Sequence, residues 1–149
     1  MSQHMNIVQY PADVLTTPAR KIVVVDDKIR LLAGAMFETM REHGGIGLAA
    51  PQVDIPLRLI IGEGPGWTFA LANPVVLKSS SQLTKNSEGC LSFKGKGQVV
   101  VERPKQIRVC GLDMTGAERV FKARGLLAMC LQHEIDHLNG ITLADQGLT

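Results

Sequence analysis

Nowhere in its 149 residues does the chain have an apolar run approaching the roughly eighteen residues that a membrane span requires. Its N-terminus has neither the apolar core of a secretory signal nor the Arg- and Ser-rich pattern of a transit peptide, so a cytoplasmic protein that crosses no membrane is expected. Cysteine is scarce. Cys90, Cys110 and Cys130 cannot all pair with one another and, without a secretory signal, they read as reduced thiols open to burial or metal binding rather than as a disulfide framework. Charge of either sign is also in short supply. Sixteen Lys and Arg against fourteen Asp and Glu leave a formal +2, scattered along the chain, which excludes a dedicated nucleic-acid groove. No internal repeat and no low-complexity linker divides the sequence. Residues 1–149 are therefore read as one domain with one core and as a monomer, with residues 1–4, ahead of the second methionine, set aside as an expression remnant or a native extension.

What is present follows mixed helix and strand grammar. Residues 10–15 form a short helical turn. Asp26 or Asp27 caps a helix whose apolar positions Ile29, Leu32, Ala33, Met36 and Met40 share one face, and Gly44 and Gly45 stop it. Runs of Val, Ile, Leu and Phe at 57–61, 67–72, 98–102, 107–112 and around Val120 lie between Gly, Pro and Asn, which marks mostly antiparallel strands. Residues 62–66 read as a hairpin turn. From Gly125 to Leu138 strong helix formers continue until Asn139-Gly140, and this helix is apolar on nearly every side except its last turn. The expected class is α+β, with antiparallel strands packed around a central buried helix.

That helix carries His133-Glu134-Ile135-Asp136-His137, an HExxH pattern. The i,i+4 spacing puts both imidazoles on one face, where two nitrogens can hold one metal ion. Glu134 then stands beside the ion as a carboxylate able to take a proton from water that the ion acidifies, which points to hydrolysis. Two histidines at the negative end of a helix dipole are the plainer alternative.

Two imidazoles leave a metal short of ligands. Downstream, Leu143 stands where the extended zinc-protease pattern requires a third histidine, and no Glu follows Glu134, so the third ligand lies upstream. His4 and His43 qualify by type, but His43 falls at the end of a surface helix. Cys90, in Glu88-Gly89-Cys90-Leu91-Ser92, is the better candidate: Gly89 would let the chain approach another element closely, and a thiolate completes a His2Cys set. Cys110 reads as a small buried hydrophobe. Cys130, one turn before His133, is expected to line the site. Residues 45–52, GIGLAAPQ, are glycine-rich but lack the Lys-Ser/Thr of a phosphate loop.

GIGLAAPQ, EGCLS and QHEIDHLNG, in that order, closely resemble the three signature motifs of peptide deformylases, with Tyr10-Pro11 and residues 72–74 similar to that family's flanking segments. The resemblance runs from about Ile7 to Asp145. It implies a metalloenzyme that removes the formyl group from N-formyl-methionyl nascent peptides, with Cys90, His133 and His137 as metal ligands and Glu134 as general acid/base. The Gln52 amide and the Leu91 N–H would stabilise the oxyanion. It further implies a peptide lying extended against Ile46, Gly47 and Gly89, and a methionine pocket near Ile46, Leu126, Met129 and Cys130, with Phe93 a further candidate wall. Ferrous iron is the expected ion, and zinc, nickel or cobalt also suit the ligands.

The chain departs from the family pattern at Phe93-Lys94-Gly95, where an apolar residue and proline often follow the Cys-Leu-Ser element, and at Asp54, where glycine is common. About a dozen residues follow His137. A short end of this kind resembles deformylases carried by bacteriophages and implies weak ribosome contact. A zinc peptidase and a metal-stabilised binding protein are the competing readings.

Overall fold

A computed structural model describes residues 5–146. Expectations placed on residues 1–4, His4 included, and on the chain's last three residues lie outside that range. Antiparallel strands form two sheets. One contains β1 (Gly47–Ala49), β2 (Leu59–Gly64), β3 (Trp67–Ser79), β6 (Gln106–Leu112) and β7 (Glu118–Arg124), in that spatial order. The other pairs β4 (Leu83–Glu88) with β5 (Val99–Pro104). With α1 (Asp27–Glu42) and α2 (Gly125–Leu138), this is a mixed helix and antiparallel-sheet architecture.

Asp26 caps α1 by accepting the Ile29 N–H at 3.1 Å, and the left-handed Gly44 (φ 70°) turns the chain out of the helix toward β1. The two helices cover opposite faces of the larger sheet, which explains why β2 begins Leu-Ile-Ile without alternation. Ile60 joins the cluster containing Leu131, Ile135 and Leu138 of α2, whereas Leu59 and Ile61 join the cluster containing Ile29, Met36 and Met40 of α1. Burying one such side chain stabilises the fold by about 1.5–3 kcal/mol.

Burial of α2 runs opposite to what its composition implies. Leu126, in the apolar first turn, is 42% exposed, while the polar stretch Gln132, His133, Glu134 and His137 is buried. The C-terminal end is fixed by Arg58, whose Nη1 donates to Leu138 O and whose Nη2 donates to Asn139 Oδ1, both at 2.8 Å. A cation placed on the last carbonyls suits the helix dipole and holds His137 in position.

Sequence grammar missed two strands. β1 is only Gly-Leu-Ala and holds its place by pairing with β2. β4, Leu-Thr-Lys-Asn-Ser-Glu, is polar and is defined by its register with β5. β3 also runs past the expected end at Ala72, because a register shift between Ala72 and Val75 accommodates Pro74. There Asn73 takes φ 52°, and its side chain bonds both the N–H and the C=O of Ile22. Asp54 likewise adopts the left-handed conformation (φ 65°) that glycine would take without strain.

Candidate metal centre

Sequence-distant segments meet at a cavity of about 350 Å³ between two sheet edges. The turn from α1 into β1 supplies Gly45, Ile46 and Gly47, the end of β4 and its following turn supply residues 87–91, and α2 supplies Met129, Cys130, His133 and Glu134. Cys90, His133 and His137 each offer one donor atom, and the three atoms lie within 4.8 Å of one another. Cys90 Sγ and His137 Nε2 are 3.3 Å apart. In a tetrahedral thiolate–imidazole site, ligand atoms at ordinary bond lengths sit roughly 3.3–3.6 Å apart, so this pair fits a shared ion. The ring centroids of His133 and His137 are 5.1 Å apart. Among the described residues His137 Nδ1 and Glu134 Oε1 are buried without a hydrogen-bond partner, polar atoms that a purely structural cluster would satisfy.

Electrostatics separate the roles of these groups. Burial, with the neighbouring His133 and Arg103 charges, holds His137 well below its ordinary value, as the neutral imidazole that a metal requires. For His133 burial opposes the cation, but Cys90, Glu134 and Glu88 outweigh it and push the group up to about 10. Burial pushes Glu134 up to about 7 against the His133 and Arg103 charges, with Glu88 and Asp136 adding to the rise. A carboxyl poised there can both accept and donate a proton near neutrality. The Cys130 thiol, raised by burial and by Glu134 and Glu88, stays neutral.

Gln52 is buried with its amide orientation set on both sides. Its Oε1 accepts the Ala49 N–H at 2.9 Å, so Nε2 faces Ser92 Oγ at 3.1 Å and Cys90 Sγ at 3.5 Å. Leu91 lines the cavity, and its N–H donates to no acceptor among the described residues, while its carbonyl accepts from Gln9.

Ile46, Gly47, Gly89, Met129 and Cys130 all line the cavity, but Leu126 and Phe93 do not. Leu126 stands on the exposed first turn of α2, and Phe93 stacks on Tyr10 with ring centroids 4.8 Å apart. The close-approach glycine is not Gly89, where an added Cβ would meet Gln98 at an ordinary 3.6 Å. It is Gly47, where a Cβ would stand 2.6 Å from both Cys130 Sγ and Glu134 Oε2.

Sequence reasoning assigned no role to Glu88, Arg103 or Asp136. Glu88 is fully buried and accepts from His133 Nδ1 at 3.0 Å and from Arg103 Nε and Nη2 at 2.7 and 2.9 Å. Arg103 also donates to Asp136 at 2.8 Å. Burial raises the Glu88 carboxyl, but the His133 and Arg103 hydrogen bonds overcome this, and the net shift is downward. Glu88 thus fixes the His133 ring and leaves Nε2 available to an ion. Recognising β4 would have exposed it, since Thr84, Asn86 and Glu88 alternate toward the interior. Arg103 left no sequence signal.

The polypeptide deformylase family model matches residues 4–147. A peptide deformylase from Pseudomonas syringae pv. tomato is 42% identical over 144 residues, 95% of this chain and 85% of that relative. The solved peptide deformylase of Ehrlichia chaffeensis superposes with a TM-score of 0.94 at 37% identity, over 97% of this chain and 88% of the other. A class I type b peptide deformylase from Acinetobacter baumannii, solved with Met-Ala-Ser bound, gives 0.93 at 31% identity over 98% and 99%. With motif order, metal-ligand geometry and whole-chain similarity in agreement, the chain belongs to the polypeptide deformylase family and is an enzyme that removes the N-formyl group of nascent peptides.

Proposed function

We propose that Cys90, His133 and His137 hold one divalent ion and that Glu134, Gln52 and Leu91 carry out hydrolysis of the formyl amide beside it. The observation that carries this reading is the convergence of three donor atoms within 4.8 Å beside a buried carboxyl pushed up to about 7. When bound, the ion supplies Lewis acidity that polarises the formyl oxygen and makes water more acidic. Ferrous iron is the ion favoured for the cell, and zinc, nickel or cobalt fit the same donors in purified protein. Glu134 takes a proton from the attacking water and delivers it to the departing amine as the formyl C–N bond breaks. Gln52 Nε2 and the Leu91 N–H donate to the oxyanion that develops on the formyl oxygen. Formate and a free N-terminus result.

The substrate binds as an added strand. Among the described residues β1 pairs only with β2, leaving one side of Ile46–Gly47 facing the cavity, opposite Gly89 after the end of β4. Main-chain pairing of this kind reads no side chains and so accepts many sequences after methionine. Ile46, Met129 and Cys130 form the apolar pocket for methionine. Met-Ala-Ser bound to the Acinetobacter baumannii relative and actinonin bound to the Synechococcus elongatus relative support a peptide ligand here. In this reading α2 is the central, metal-bearing helix of a single catalytic domain that works as a cytoplasmic monomer, with weak ribosome contact and no specific nucleic acid.

Glu134→Ala tests the assignment. Retained metal with formate release reduced by at least a hundredfold supports it. A variant that keeps both metal and activity removes Glu134 from the mechanism.

A further inference from the structure

Next to the metal cavity lies a second, open cavity of about 630 Å³. Gly89, Cys90, Leu91 and Gln98 are common to both, so a peptide leaving the metal centre past Gly89 passes into it. Lys94 is the only Lys, Arg, Asp or Glu among the described residues that line this second cavity. The loop that carries Lys94 is also fixed. The Gln9 side chain donates to Leu91 O at 2.8 Å and accepts the Lys94 N–H at 3.0 Å, while Tyr10 N–H donates to Ser92 O at 2.9 Å. Phe93, between them, stacks on Tyr10. Lys94 therefore lines the cavity from a held backbone.

We propose that Lys94 makes this second cavity a subsite for acidic side chains in the residues that follow methionine, so that the enzyme prefers formyl peptides with Asp or Glu there. The proposal rests on the functional reading above and adds a substrate class to it. An extended peptide advances about 3.3–3.6 Å per residue, so the two residues after methionine reach roughly 7 Å beyond it. Lys94 is solvent-exposed, and exposed ion pairs are weak, so the preference is modest: about two- to fivefold in kcat/KM.

The test compares kcat/KM of the metal-loaded enzyme on formyl-Met-Asp-Asp-Ala, formyl-Met-Ala-Ala-Ala and formyl-Met-Lys-Lys-Ala at low ionic strength. The expected order is acidic, neutral, basic. Lys94→Ala flattens it and Lys94→Glu reverses it, with turnover of the neutral peptide unchanged. Lys96→Glu places the same charge on the same loop but outside the cavity lining, and it leaves the order intact. Turnover of all three peptides at equal rates overturns this proposal alone, as does a Lys96→Glu effect equal to that of Lys94→Glu, which would mean a diffuse field rather than a subsite. Silence on all three formyl peptides overturns the functional reading and this proposal with it.

Discussion

Replacing Gly47 by Ala tests how closely catalysis depends on the position of Glu134. The added Cβ would meet Cys130 Sγ and Glu134 Oε2 at 2.6 Å and Glu134 Cδ at 3.1 Å, whereas ordinary contact begins near 3.4 Å. Atoms must therefore separate by about 0.8 Å. Both neighbours sit in the buried half of α2 and line the metal cavity, so the added methyl pushes them toward the reacting centre. Overpacking of this kind costs about 1–3 kcal/mol of stability. Displacing a reacting group by nearly an ångström costs on the order of a hundredfold in rate, about 2.7 kcal/mol in the barrier. None of the three atoms nearest an added Cβ belongs to Cys90, His133 or His137, so metal content is expected to stay at the parent value. The assay is formate release under kcat/KM conditions on samples of measured metal content, alongside a urea melt. Activity within threefold of the parent, with metal bound, would refute the argument that Gly47 leaves room for Glu134 in the role proposed for it. Loss of metal would show that the substitution acts on the ligand cluster instead.

Glu88→Gln weakens the partner that orients His133 and should lower metal affinity by about ten- to a hundredfold, read by competition with a chromophoric chelator. Arg103→Met leaves the fully buried Glu88 carboxylate without its bidentate partner, so equilibrium unfolding should show a loss of about 3–5 kcal/mol, whereas a neutral result would mean that Glu88 is stabilised elsewhere. Metal uptake should tighten as pH rises from 6 to 8. His133 is held cationic up to about 10 in the metal-free protein and must release its proton to bind, so this group alone contributes up to about tenfold per pH unit, and pH-independent affinity would contradict the assignment.

How much of this was legible beforehand depended on whether the signal was local. The HExxH spacing and the α2 stop at Asn139-Gly140 are properties of consecutive residues, and the structure shows both on one helix. Cys90 could be reached by elimination because histidine and cysteine are scarce here. The apolar runs of β2 and β6 could be read because both faces of the one and a full face of the other are buried, whereas β7 buries only Ala123 and shows itself through the few apolar residues around Val120. By contrast, β1 and β4 carry no apolar run, and their identity as strands comes from partners distant in sequence. The network from Asp136 through Arg103 to Glu88 and His133 joins residues separated by as many as 45 positions, and no spacing rule announces it. The motif Glu88-Gly89-Cys90 points to Gly89 as a close-approach glycine. The close contact with Glu134 is at Gly47, and it becomes visible only once α2 is packed against β1.

The most direct test of the account is formate release by anaerobically iron-loaded enzyme from formyl-Met-Ala-Ser, measured beside the acetylated analogue. Release from the formyl peptide alone, abolished by EDTA and restored by added metal, is the predicted result. A folded, metal-loaded sample that releases no formate, or that cleaves both peptides alike, would contradict it.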